Sequence, residues 1–267
     1  MKKHTITLII LSLIAVLALS ACGALQEPEA ASGTIEAIPL ETQSAGVADA
    51  TEPPAEVAPV EPAAEPTPAP EATTETEPPT EAPAEVPASA AAVFTIDQGA
   101  SQVRFQLDED LRGERKTVIG TTDQVAGQLS LNLADLSQTQ VGVIQINART
   151  LATDNNFRNR AIQNEILDTG SYEFITFTPA GIEGLPPAAA VGETVTFTLV
   201  GDLTIRDVTL PATFTVEATA ASESQIVGTA TAVVNRADFG LQIPSVPNVA
   251  NVEEEVELYI DFTANAS

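Results

Sequence analysis

Tryptophan is absent from this chain of 267 residues, and cysteine, histidine and methionine occur once each, as Cys22, His4 and Met1. Beyond residue 22 there is no imidazole and no thiol, so Ser-His-Asp and Cys-His nucleophile arrangements are excluded. Zinc or other transition-metal sites built from His and Cys are excluded with them. Basic residues are also scarce: 11 Lys and Arg stand against 37 Asp and Glu, a formal charge of −26. No basic patch exists to release counterions, which argues against nucleic acid and anionic membrane surfaces as partners. Carboxylates and hydroxyls are what remain for catalysis. Glu253-Glu254-Glu255 reads as a solvated strand entrance rather than a hard-cation site or an acid/base pair. Asp238-Phe239-Gly240 matches a kinase metal-binding tripeptide, but no catalytic-loop partner or phosphate-cradling glycine loop accompanies it. It reads as a turn, with Gly240 where the backbone needs freedom and Phe239 packed inward. The expectation is a non-enzyme without cofactor or metal.

The N-terminus carries an address. Met1-Lys2-Lys3-His4 is a short positive region, and Ile6 to Leu19 is apolar apart from Thr7 and Ser12. Such a stretch is too short for an ordinary membrane-spanning helix and reads as a secretory signal over residues 1–21. It closes with Leu19-Ser20-Ala21-Cys22, which resembles the lipobox of bacterial lipoproteins. That resemblance implies a diacylglycerol on the Cys22 thiol and cleavage that makes Cys22 the new N-terminus. An ordinary signal that happens to end in Ser-Ala-Cys is the alternative, but a lone thiol in an oxidising compartment is a liability. Each buried lipid CH₂ contributes about 0.8 kcal/mol, so several acyl chains anchor firmly without a spanning helix. The implied location is the cell envelope, anchored to a membrane and facing the periplasm or the extracellular side.

From Cys22 to Ala92 the chain is dominated by Ala, Glu, Pro and Thr. It holds 13 of the 19 prolines, 14 acids and no base, and none of the nine Phe or two Tyr. Too little apolar side chain is present to offset the ordering entropy, and like charges repel. The expectation is a disordered tether with polyproline-II character, reaching on the order of 200 Å at about 3.1 Å per residue. A cell-wall spacer, or a carrier of O-linked sugar on its threonines, is the functional alternative.

From Val93 a period of two takes over. Val103, Phe105 and Leu107 alternate with polar residues, as do Val125, Gly127, Leu129, Leu131 and Leu133. Val195, Phe197, Leu199, Leu203 and Ile205 form another phase, and Val208, Leu210, Ala212, Phe214 and Val216 the next. Val256, Leu258, Ile260 and Phe262 form the last. This alternation marks half-buried antiparallel strands. Segments 140–148, 172–178 and 225–234 are apolar on both faces, so a helix or a second subunit, as in a homodimer, is expected to cover their outer side. Between Asp154 and Leu167, Phe157, Ala161, Ile162 and Ile166 fall at helical spacings, with Asp154 or Asn155 as N-cap and Gly170 beyond the end. About eight strands with one short helix over residues 93–267 predict an all-β antiparallel barrel or sandwich, and a barrel leaves no exposed edge.

Six blocks resemble the YceI family of secreted bacterial proteins: Phe94-Thr95-Ile96-Asp97, Ala126-Gly127-Gln128-Leu129, Thr153-Asp154 running to Ile166-Leu167-Asp168, Phe174-Ile175-Thr176-Phe177, Gly201 to Thr209, and Asn235 to Leu241. The resemblance implies a lipocalin-like barrel that binds a polyisoprenoid. Where that family commonly has Asp and then His in the helical insertion, Asn159 and Ala161 stand here, so no role of that His carries over. A loop rich in small residues, Gly184 to Ala190, is longer than the pattern requires.

An eight-stranded barrel is either filled by side chains or open to one slender ligand, and periodicity does not separate the two. With the resemblance, the expectation is a non-catalytic carrier or sequestering protein for an isoprenoid or other long-chain apolar lipid. The alternative is a displayed structural or adhesion module with a filled barrel. Candidate walls of the lipid cavity are Phe105, Leu129, Leu131, Ile144, Ile146, Phe174, Phe197, Leu199, Phe214, Val216, Leu258 and Ile260. Phe157 and Ile162 would cover one mouth, where Arg158 would either meet a polar headgroup or pair with Asp154 at i, i+4.

Overall fold

The computed structural model describes residues 27–40 and 91–267. The signal, Cys22 and most of the tether lie outside the described residues. The strands are β1 (Ala92–Ile96), β2 (Gln102–Leu111), β3 (Glu114–Thr122), β4 (Val125–Ala126), β5 (Gln128–Asn132), β6 (Asp135–Val141), β7 (Ile144–Asn147), β8 (Phe174–Glu183), β9 (Thr194–Ile205), β10 (Val208–Ser222), β11 (Gln225–Asn235), β12 (Val249–Ala250) and β13 (Glu255–Ala266). Helix α1 (Asn156–Ala161) continues into a π-helical turn at Ile162–Ile166. The architecture is an all-β antiparallel curled sheet with one short helix.

Among the described residues thirteen strands stand where the alternation predicts about eight, because bends divide the long runs. β13 pairs with β1 at one end (Ile96 opposite Ala264) and with β2 at the other (Phe105 opposite Leu258). The one-turn helix Gln98–Ala100 interrupts that run, capped by the Asp97 carboxylate accepting from the Gly99 N–H at 3.0 Å. β4 and β5 are likewise one run broken at Gly127, where a Cβ would collide with the Ile144 side chain. From β7 the sheet proceeds through β8, β9, β10 and β11 to β13. β3 and β5 pair with β2 and β1, and β5 and β4 pair in turn with β6 and β7. The sheet therefore curls on itself, and its inward phases face a common interior.

That interior holds Phe94, Phe177, Leu203 and Val125, all essentially inaccessible. Burying a side chain of this size contributes about 1.5–3 kcal/mol. The helix begins at Asn155, not Asp154: the Asn155 carboxamide oxygen accepts from the N–H groups of Phe157 (2.8 Å) and Arg158 (3.3 Å). Asn159 accepts from the N–H and hydroxyl of Thr153, each at 2.7 Å, which fixes the entry to α1.

Residues 27–40 depart from the tether expectation, for they lie against the sheet. Ile35 is buried, and its carbonyl accepts from the Gln98 side chain at 2.5 Å. The N–H and hydroxyl of Ser32 donate to the Glu173 carboxylate. Arg149 donates to the Ala30 carbonyl (3.2 Å) and pairs with Glu29 (3.1 Å) and Glu173 (3.1 Å). The Leu40 N–H reaches the Gln128 side chain at 3.4 Å. Composition counted Pro and Glu over the whole stretch and passed over Ile35 and Ile38, the apolar side chains that make local docking worthwhile. This strap runs beside the ends of β7 and β8, part of the outer surface for which a helix or second subunit was expected. The outer side of β11 remains open at Val233, which is exposed.

Candidate functional site

Two apolar cavities share the interior. The larger, of about 670 Å³, lies at the end carrying α1 and the loop 236–254. The smaller, of about 110 Å³, lies toward the loop 184–193. Phe177, Phe214 and Ile260 line both, so they stand between the two chambers. The Phe177 and Phe214 rings meet edge to face, centroids 4.9 Å apart at 66°.

Of the expected wall residues, Phe105, Ile146, Phe157, Arg158, Ile162, Phe214, Leu258 and Ile260 line the large cavity. Leu129, Leu131, Ile144, Phe197, Leu199 and Val216 line the small one, together with Phe214 and Ile260. Phe174 lines neither. Segment 172–178 is apolar in both phases, and the register of β8 turns Ile175 and Phe177 inward instead. The small-residue loop closes the far end: the Pro187 carbonyl accepts from the Leu136 N–H (2.8 Å) and the Ala189 N–H donates to the Leu133 carbonyl (2.9 Å), bringing Leu185 and Ala189 onto the small cavity.

The open end is built by α1 and the loop after β11. Ile162 is buried on the cavity side, whereas Phe157 is 72% exposed at its rim. Arg236 pins the loop, donating to the carbonyls of Leu241 (3.0 Å) and Glu253 (2.9 Å) and pairing with Glu254 at 2.8 Å. Gly240 adopts φ +66°, a left-handed conformation that favours glycine, and the neighbouring Phe239 is buried against the cavity. Arg115 on β3 approaches Asp108, Asp110 and Glu253. Two members of the Glu253-Glu254-Glu255 run are therefore ion-paired, not simply solvated.

Sequence reasoning missed one inward charge. It placed no ionisable residue on the inner phases, yet Glu109 lines the large cavity with 5% of its surface exposed. The phase Val103, Phe105, Leu107 runs on to 109, and following it further along β2 would have found it. Arg158 meets Glu109 at 2.7 Å and Asp154 at 2.5 Å, and Lys116 reaches Asp154 at 3.2 Å. The hydrogen bond from Lys116, opposed by partial desolvation and reinforced by Arg158, holds the Asp154 carboxyl below its usual range. Among the described residues no group of three His, Cys, Asp or Glu side chains is placed to hold a metal ion, and no helix is long and apolar enough to cross a membrane.

Residues 94–264 match the family described as YceI-like domain. The chain belongs to this family. No curated protein is similar enough in sequence to count as a relative. Among solved structures, this YceI-like domain is similar to a polyisoprenoid binding domain from Saccharophagus degradans implicated in plant cell wall breakdown (16% identity, TM-score 0.52, covering 66% of this chain and 99% of that one). It is also similar to BcnA of Burkholderia cenocepacia (18% identity, TM-score 0.51, covering 64% and 99%). At these identities the likeness is one of fold. The YceI-like region takes in both cavities, α1 and the Arg236 loop, and leaves the strap outside.

Proposed function

We propose that this YceI-like domain binds, carries or sequesters a long-chain apolar lipid of isoprenoid type in its large cavity, without catalysis. The observation that carries this reading is the apolar interior space of about 670 Å³, open beside α1 and walled by side chains such as Phe105, Leu107, Leu203 and Leu258. Its size falls within the range of small-molecule sites, about 300–1,000 Å³. Each methylene taken from water contributes about 0.8 kcal/mol and needs no polar partner, so the affinity is passive and the shape of the space sets the selectivity. Membership of a family with a polyisoprenoid-binding neighbour in fold supports the same ligand class. Anchoring through a lipidated Cys22, on the periplasmic or extracellular side of a membrane, would put the domain beside its lipid source.

A display module with a filled interior is the competing reading, and unfilled space of this size counts against it. Native mass spectrometry of the chain purified from a lipid-producing host tests the assignment. The expected result is a co-purifying apolar species, or uptake of added polyprenol. A clean apo mass with no uptake would overturn it.

A further inference from the structure

We infer that a membrane surface docks on the open end of the large cavity, because the strap leads the N-terminal anchor to that end. The mouth then faces the bilayer that holds Cys22. This rests on the reading of Cys22 as lipidated and adds an orientation that lipidation alone leaves open.

The sheet by itself would set the domain the other way. β1 starts at Ala92, opposite Leu131, and Leu131 lines the small cavity at the closed end. A chain running straight from Cys22 to β1 would turn that end to the membrane. It would do so across the 70 residues 23–92, a reach of roughly 200 Å at about 3.1 Å each. The strap reverses the arrangement. Its first residues sit at the α1 end, where Glu29 pairs with Arg149 at 3.1 Å and the Ala30 carbonyl accepts from the same guanidinium at 3.2 Å. Arg149 also donates to the carbonyls of Thr169 (2.7 Å) and Gly170 (3.1 Å). Those two residues follow the helical segment whose Ile162, Ile166 and Leu167 line the large cavity. The other end of the strap, Leu40, lies at Gln128, where β5 starts toward the small cavity. The strap thus runs from the open end to the closed end, and the chain before it emerges at the open end. Glu29 stands seven residues after Cys22, so the anchor lies within about 25 Å of it. Residues 41–90 leave and rejoin the same domain, and their length adds nothing to that separation.

The rim at the open end is suited to an apolar surface. Phe157 on α1 and Val246 in the loop after β11 both line the large cavity, and both are exposed. Pro244 and Pro247 stand beside Val246 on the same lining. With a net charge of −26 and no basic patch, the contact draws on the short anchor and on apolar burial, not on anionic headgroups. A lipid leaving the bilayer at this mouth enters the cavity without crossing open water.

The test uses the full mature chain, lipidated in a bacterial host and reconstituted into phosphatidylcholine vesicles that carry a headgroup-labelled acceptor lipid. A donor fluorophore is attached at the mouth through Ser245→Cys, or at the closed end through Ser224→Cys in the turn before β11. Both positions are exposed, and the acylated Cys22 does not compete for the label. β11, of 11 residues, separates these ends by about 35 Å. Energy transfer to the acceptor is expected to be severalfold stronger from position 245 than from 224, with the ratio unchanged by added salt. Ile35→Asp, outside the YceI-like region 94–264, should free the strap and bring the two signals toward equality. Circular dichroism checks that the sheet is intact, and limited proteolysis that the strap is released. Equal transfer from both positions of the native chain, stronger transfer from 224, or a native ratio with the strap released would overturn the inference while leaving the anchor standing. Failure of the chain to associate with vesicles at all would instead overturn the reading of Cys22.

Discussion

Phe177 and Phe214, on neighbouring sides of the interior, meet edge to face with centroids 4.9 Å apart and separate the 670 Å³ chamber from the 110 Å³ one. Both rings are almost wholly buried. Edge-to-face pairing adds about 0.5–1.5 kcal/mol for the pair beyond the burial of its rings, so the partition is a firm one. For a chain entering beside α1, these rings form the floor.

Phe214→Ala should join the chambers. The expected cost is about 3–5 kcal/mol in unfolding free energy, read from denaturant titration. If the variant remains folded, native mass spectrometry with a ladder of polyprenols should show longer chains bound than in the native protein. An unchanged length limit would show that the floor lies elsewhere.

Phe157 stands at the rim with most of its surface in water. Phe157→Ser should therefore change stability by no more than about 0.5 kcal/mol. Stopped-flow transfer of a fluorescent polyprenol analogue from vesicles should slow, because the ring no longer offers an apolar step into the cavity. Transfer at the native rate would remove Phe157 from the entry route.

Arg149 joins the strap to the sheet, donating also to the Thr169 (2.7 Å) and Gly170 (3.1 Å) carbonyls, and its side chain is mostly buried. Arg149→Ala leaves Glu173 without its cation and should cost about 3 kcal/mol, within the range for breaking a buried pair. Limited proteolysis should then cut within residues 27–40 sooner than in the native chain. Equal protection would mean that Ile35 and Ser32 hold the strap by themselves.

Acid should loosen the same contact. Burial pushes the Glu173 carboxyl up, but the Ser32 hydroxyl and N–H, the Asn147 amide and the Arg149 charge together hold it below its usual value. A carboxylate with a depressed folded pKa contributes stability that is complete above the unfolded value, about 4.3, and is lost as pH falls through the folded one. The protection factor of the Ser32 amide, taken against its intrinsic exchange rate at each pH, should fall across that acid range, and Glu173→Gln should remove that fall. A flat profile in the native protein would contradict the assignment.

Lipidation is tested at Cys22. In the producing host, Cys22→Ser should move the protein from the detergent-rich to the aqueous phase and abolish labelling by a palmitate analogue. Retention of either in the variant would rule out this thiol as the anchor.

Alternation of apolar and polar residues determined the all-β class, because one wet and one buried face impose a period of two wherever a sheet borders water. It placed most of the walls as well: Phe105, Leu129, Phe197 and Leu258 fall on inner phases that local sequence reveals. Where both phases are apolar the signal has no direction, so local sequence points to Phe174 as a wall while the register of β8 turns Phe177 inward instead. Tertiary structure alone decided three matters. Whether inward side chains meet or leave space depends on how far the sheet curls, a property of pairing among β2, β9, β10 and β13. The pairing of Arg158 with Glu109 joins residues 49 positions apart, beyond any local pattern. The docking of residues 27–40 depends on acceptors and donors at Glu173, Arg149 and Gln98 that only the folded sheet assembles.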